Sequence, residues 1–428
     1  MMVEYKEVPV LLLTGYLGSG KTTLLNRILH NAEGIKFAVI VNDIGEVNID
    51  ADLIQRGGIV GEEDGDLVAL QNGCICCTLK MDLVRQIDGL LESGLFDYIV
   101  IEASGVCEPA PIAQTICAMN QSPNVPVRPR LDCITTVVDA LRLKSEFDSG
   151  AALRRPGIDE EDIENLIIEQ IEFCNLILLN KISEVTPEEG ARIRAVIRAL
   201  QPKARIIDCD YCDVPLSDLL DTHLFDFEKT ATSATWVAEI EKPLDELEDE
   251  HEHHHEHDGE DHDGHEHHEH QHHHEHHHEH GEHEHHEHGH GHCHHHHHHH
   301  GEGEAEEYGI STFVYYRRRP FDFNKFDQFV NAEWPRNVIR AKGVVYFSHN
   351  RDMSILFEQA GVQKSIKEAG YWYATAPKEE LEILMAREPG LRRDWDEEYG
   401  DRMIKLVFIG RDLDREKLTA QLDKCLAD

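Results

Sequence analysis

The sequence predicts an α/β chain: a doubly wound, mostly parallel sheet, then a histidine-rich insert with no core of its own, then a small α+β domain. Three observations predict it. Short, wholly apolar runs alternate with helical patterns from Pro9 to about Phe225; the composition breaks abruptly at His251–His300; strand-like runs resume beyond it. At 428 residues the chain is too long for one ordinary core, and the expected division is 1–228, a linker 229–306 containing the histidine tract, and 307–428.

The apolar runs are Val10–Thr14, Phe37–Asn42, Tyr98–Glu102, Cys133–Val138, Leu176–Asn180 and Arg205–Asp208. Their consecutive apolar residues suit strands covered on both faces, and intervening stretches such as Pro187–Leu200 carry helical spacing and good helix formers. Between His251 and His300 stand 30 of the 33 histidines with 13 acidic residues and no Lys or Arg, so this tract cannot bury apolar surface. Its work is therefore chemical: neutral imidazole binds Zn²⁺, Ni²⁺, Co²⁺ and Cu²⁺, which predicts metal buffering or loading. His294–His300 alone would read as an affinity tag, but the Glu-interrupted histidines before it would not. Beyond the tract, Ile310–Tyr316, Val338–Phe347, Met353–Gln359 and Met403–Phe408 read as strands, with helices at Phe323–Asn331 and Arg415–Leu426.

Composition excludes some partners. With 41 basic against 82 acidic residues, a formal charge of -41, the chain repels nucleic acid and anionic lipid surfaces. No charged segment followed by an apolar stretch opens it, and no apolar run reaches the roughly 20 residues of a spanning helix, so a cytoplasmic protein is expected. Eleven cysteines, an odd number, suggest metal or redox chemistry before a disulfide framework.

Gly15-Tyr16-Leu17-Gly18-Ser19-Gly20-Lys21-Thr22 matches the eight-position phosphate-binding loop, directly after an apolar strand and before helical Thr23–Leu29. The first domain is thus read as a P-loop NTPase sheet. Glycines let successive N–H groups face phosphate oxygens, the helix start adds favourable potential, Lys21 reaches the terminal phosphates, and Thr22 offers a hydroxyl to Mg²⁺. Ser19 and Thr23 belong to the same cradle. Tyr98–Glu102 ends in a carboxylate expected to serve Mg²⁺, and Gly105 can bring its N–H to a γ-phosphate. Asn42–Glu46 reads as a nucleotide-responsive segment, or as a plain polar loop. Asn180-Lys181 is placed as guanine-reading loops place their Asn-Lys pair, but the Asp due two residues later is Ser183, with Glu184 as a substitute acceptor. GTP is favoured.

Cys74, Cys76 and Cys77 put three thiols within four residues, a set for Zn²⁺, Co²⁺ or Cu⁺ that Asp43 or Glu46 could complete; the plain alternative is three small buried residues. Beside segments that sense γ-phosphate, bound metal and nucleotide state would be coupled reciprocally. Cys209-Asp210-Tyr211-Cys212 is a lone C-x-x-C, read chiefly as structural.

On Gly15–Thr22, Gly73–Cys77 and Glu102–Gly105 the chain resembles the CobW-type family, relatives of the urease and hydrogenase nickel-insertion GTPases. Tyr316–Phe321, Gly400–Arg402 and Val407–Gly410 resemble that family's C-terminal domain. The resemblance implies a metal-stimulated GTPase that uses GTP, Mg²⁺ and Zn²⁺ (or Co²⁺ or Ni²⁺), passing an ion to a client metalloprotein. A homodimer in one nucleotide or metal state is a further expected partner. Two other readings stand beside it: a metal buffer working through its histidines, and a P-loop kinase for a small molecule, in which the C-x-C-C would have no role.

Overall fold

The computed structural model describes residues 5–30, 34–41, 69–71, 79–122, 125–149, 161–243, 308–361 and 363–427. Seven parallel strands form the first sheet: β1 (Lys6–Thr14), β2 (Phe37–Val41), β3 (Ala69–Gln71), β4 (Tyr98–Glu102), β5 (Val127–Asp139), β6 (Leu176–Asn180) and β7 (Arg205–Asp208). Their order is β3-β2-β4-β1-β5-β6-β7, with every pairing parallel. Strands β2, β4 and β6 are buried at every position, which explains their unbroken apolar sequences: a helix layer covers each face.

The helices are α1 (Lys21–His30), α2 (Leu79–Ser93), α3 (Pro109–Asn120), α4 (Ala140–Ser149), α5 (Glu161–Glu172) and α6 (Pro187–Leu200). Helix α6 starts where its sequence dictates. Thr186 accepts from the Glu189 N–H, the Glu189 side chain returns to the Thr186 N–H, and Pro187 occupies the first turn, where no N–H is needed. Two short helices, α7 (Phe227–Ala231) and α8 (Thr235–Glu241), occupy the stretch that composition alone suggests as the start of a linker.

The second sheet is antiparallel, in the order β11-β10-β9-β12-β8, from β8 (Ile310–Arg317), β9 (Val338–Phe347), β10 (Asn350–Ala360), β11 (Gln363–Tyr371) and β12 (Ile404–Arg411). Around it stand α9 (Phe323–Gln328), α10 (Lys378–Arg387), α11 (Pro389–Arg393) and α12 (Arg415–Asp423). Its core is aromatic, with Phe321 stacked on Phe326 at 4.6 Å and Phe313 on Phe408 at 5.1 Å. The segment expected as one helix, Phe323–Asn331, is α-helical only to Gln328 and continues as a wider π turn over Phe329–Glu333.

The sheets meet along a seam that buries charged groups. Arg340 of β9 is fully buried and grips Glu172, the last residue of α5, by two bonds of 3.0 Å. Lys405 of β12 donates to the carbonyls of Ile240 (2.6 Å) and Lys242 (2.8 Å), and burial pulls its pKa down to about 8. Lys342 lies 4.3 Å over the ring of Trp236.

Candidate nucleotide site

The site forms where β1, β4, β5 and β6 end, the edge at which open α/β sheets bind ligands. β1 leads through Gly15 and Gly18 into α1. Leu24 makes the first helical bond, to the Gly20 carbonyl at 2.9 Å, so the N–H groups of Lys21, Thr22 and Thr23 open the helix and face the turn. Gly20 has φ +117°, and a Cβ there would stand 2.6 Å from Asn180 Nδ2, so only glycine fits. Gly105 is excluded from substitution by contact alone: its Cβ would meet the Leu17 backbone nitrogen at 2.7 Å. The loop after β4 therefore lies directly against the loop after β1.

Within this cradle Lys21 is 7% exposed and donates to the Tyr16 carbonyl at 3.3 Å. Ser19 is 2% exposed, and its hydroxyl oxygen has no hydrogen-bond partner among the described residues. A buried hydroxyl left without a partner costs about 1–3 kcal/mol and fits a site shaped for a polar ligand. Thr22 Oγ1 donates to Glu102 Oε1 at 2.9 Å. A hydroxyl and a buried carboxylate are hard oxygen donors, the type Mg²⁺ takes, so the residues present fit that ion. Thr23 is exposed on the first turn of α1.

Asn180 and Lys181 reach this loop from β6. Asn180 Nδ2 donates to the Ser19 carbonyl (2.8 Å), and its Oδ1 accepts from the Cys212 N–H (3.0 Å). Lys181, at φ +59°, donates to the Gly18 carbonyl (3.1 Å) and to Asp139 Oδ2 (2.5 Å). Both residues brace the phosphate loop, a positioning role that their spacing in sequence does not reveal. Cys209 and Cys212 are buried beneath it, with Cys212 Sγ 3.5 Å from the Gly20 carbonyl. The hydrogen bond from Cys212 pulls the Cys209 thiol below its ordinary range, while the same bond and burial push Cys212 up. Gln170 of α5, which motif reading passes over, donates to the carbonyls of Gly105 (3.3 Å) and Cys107 (3.2 Å).

Cys74, Cys76, Cys77, Asp43, Glu46 and the tract His251–His300 lie outside the described residues. Among the described residues, Asp132, Asp221 and His223 come close enough together to hold an ion. The Asp132 carboxylate is already engaged by the Tyr98 hydroxyl (2.8 Å), Arg130 Nη1 (2.8 Å) and the N–H groups of Thr222 and His223 (2.9 Å each). Burial pushes this carboxyl up, yet the donated bonds outweigh it and hold the group below the usual carboxylate range. It clamps the loop after β7 at the end of the sheet opposite the phosphate loop. No helix among the described residues is long and apolar enough to cross a membrane.

A parallel sheet whose central strand runs through this glycine turn into a helix carrying Lys21 and Thr22 defines a P-loop NTPase-like α/β domain. Residues 9–208 match the model described as CobW/HypB/UreG, nucleotide-binding domain, and residues 310–426 match the cobalamin synthesis protein cobW C-terminal domain. The chain belongs to the CobW/HypB/UreG family of P-loop GTPases. The zinc-regulated GTPase metalloprotein activator 1 of Dictyostelium discoideum is 31% identical over 439 residues, covering 99% of this chain and 80% of its own length. The zinc chaperone CobW of Pseudomonas aeruginosa is 34% identical over 232 residues, covering 51% of this chain and 61% of its own. The zinc-bound YjiA GTPase of E. coli aligns over 99% of this chain and 100% of its own at 19% identity and a TM-score of 0.38, a likeness too small to bear on the chemistry.

Proposed function

We propose that the chain is a Mg²⁺-dependent GTPase that couples its nucleotide state to the delivery of zinc, or of cobalt or nickel, to a client metalloprotein in the cytosol. The observation that carries the hydrolytic part is the pairing of Thr22 with Glu102 at 2.9 Å beside a buried Lys21 and the unpartnered Ser19 hydroxyl. Lys21, the leading N–H groups of α1 and Ser19 would hold the terminal phosphates, and Thr22 and Glu102 would hold Mg²⁺. A cation held there would supply positive charge to offset the charge of the terminal phosphates. Water adds at the γ-phosphorus, the bond to the β–γ bridging oxygen breaks, and GDP and inorganic phosphate leave. Gly105, pressed against Leu17, senses the γ-phosphate.

Two features support the metal part. β3 ends at Gln71, in register with Val41 of β2, which in turn aligns with Glu102, and Cys74 follows Gln71 by three residues in sequence. The two relatives described above are named for zinc. On this reading Cys74, Cys76 and Cys77, with Asp43 or Glu46, take the ion, the histidine tract loads it, and the seven described cysteines, all free thiols, suit a reducing cytosol. Turnover of GTP with and without Mg²⁺ tests the hydrolytic part. Glu102→Gln should lower kcat on the order of 10²-fold while the fold persists; unchanged kcat would overturn the role given to Glu102.

A further inference from the structure

Position 183 is where a guanine-reading loop would present its acid, and this chain has serine there. The structure shows what that serine does. Its N–H and its hydroxyl both donate to one oxygen, Asp210 Oδ1, at 3.1 Å and 2.8 Å. A serine oxygen lies about where the carboxyl carbon of an aspartate at the same position would lie, so a carboxylate sits one hydrogen bond beyond the expected place, supplied by the loop after β7. Asp210 Oδ2 accepts no bond from the described residues, and the residue is only half-buried.

The turn carrying Asp210, at the start of the loop after β7, is tied to residues of the nucleotide site. Cys209 N–H donates to the Leu179 carbonyl (3.0 Å) and Ile182 N–H to the Cys209 carbonyl (3.3 Å). Cys212 N–H reaches Asn180, and Arg27 of α1 bonds Asp213 at 2.5 Å. Tyr211 and Cys212 are both left-handed at φ +54°, two consecutive non-glycine residues in a region that costs each of order 1 kcal/mol. Such backbone persists where its surroundings over-determine it, and here it turns the chain so that Asp210 faces Ser183. Glu184, the nearer acid in sequence, is exposed and makes no comparable contact among the described residues.

We infer that Asp210, held by Ser183, is the acceptor that reads the guanine base. A carboxylate accepts from both N1–H and the 2-amino group of guanine, whereas adenine offers an acceptor at N1 and no amino group at C2, so the acid rejects it. The inference rests on the GTPase reading above and adds the source of its base specificity.

The test is competition of GTP, ITP, XTP and ATP against a fluorescent GTP analogue on the full chain, in Asp210→Asn, Ser183→Ala and Glu184→Gln. The wild type should prefer GTP to ITP and to ATP. Asp210→Asn should lose GTP on the order of 10²-fold or more and gain XTP, because its amide donates to the xanthine 2-oxo group while its oxygen still accepts from N1–H; a gain of XTP cannot come from misfolding. Ser183→Ala should weaken GTP several-fold and leave ATP unchanged. Wild-type preferences retained in Asp210→Asn overturn the inference and leave the GTPase reading standing, as does a collapse of the GTP:ITP ratio in Glu184→Gln alone. No binding of any nucleotide by the wild type would overturn both.

Discussion

The phosphate end of the first sheet and the seam between the two sheets both bury charged groups, and they treat them in opposite ways. At the seam Arg340 closes on Glu172 through two 3.0 Å bonds, and Lys405 spends its donors on two carbonyls. At the phosphate end Lys21 makes a 3.3 Å bond to a loop carbonyl, Ser19 buries a hydroxyl without a partner, and glycines stand where any Cβ would collide. Arg340 and Lys405 find their partners within the chain, whereas the cradle is shaped for something that must arrive. Burial by itself therefore does not mark a functional residue; it is the setting of Lys21 and Ser19 in a glycine turn at the start of a helix that does.

The largest expected effect is on the open side of this comparison. Lys21→Ala should reduce GTP hydrolysis on the order of 10³-fold with little change in thermal unfolding, because its charge acts on phosphate more than on the fold. A comparable loss of stability with retained turnover would reverse the two regions' roles. Arg340→Ala should do the converse, destabilising the chain by about 3–5 kcal/mol in chemical denaturation, since it leaves Glu172 buried and unpaired. Replacing both partners with apolar residues of similar size should recover most of that loss. Gly105→Ala joins the regions, because its Cβ would press on the Leu17 nitrogen and its carbonyl accepts from Gln170 of α5. Turnover should fall about tenfold, with a stability cost of about 1–3 kcal/mol.

The smallest effect sharpens the seam. Burial, then the charge of Glu108, pushes the Glu169 carboxyl up to about 7 from 4.5. The folded chain thus holds a proton that the unfolded chain releases between those values, so stability falls as pH rises from about 4.5 to about 7 and levels off above. Glu169→Gln should remove this slope, worth about 1–3 kcal/mol, in denaturation compared at pH 5 and pH 8. A slope equal to the wild type's would show that other groups produce it.

Much of this was legible in the sequence where short-range pattern and long-range structure coincide. The doubly buried strands read directly from their apolar runs, and the phosphate loop from its spacing between strand and helix. β11 escaped because it is an edge strand with mostly exposed side chains, Gln363–Tyr371, bonded on one side only, so its residues carry no apolar alternation. β3 has only three residues. Gln170, Asn180 and Cys212 act on the cradle through contacts spanning 65, 161 and 192 positions, which no local motif encodes. Glu184 stands out by proximity in sequence, whereas Asp210, the partner of Ser183, lies 27 positions on and shows only in the structure.

The central claim, that metal and nucleotide speak to each other, is tested most directly by GTP and ATP hydrolysis in a chain lacking His251–His300, titrated with Zn²⁺, Co²⁺ and Ni²⁺. A second preparation with Cys74, Cys76 and Cys77 all changed to serine would be titrated alongside. The account predicts GTP-selective turnover that one metal raises, with the metal response lost and the metal-free rate kept in the serine variant. An unchanged metal response without those thiols, or no response to any metal with them, would contradict it.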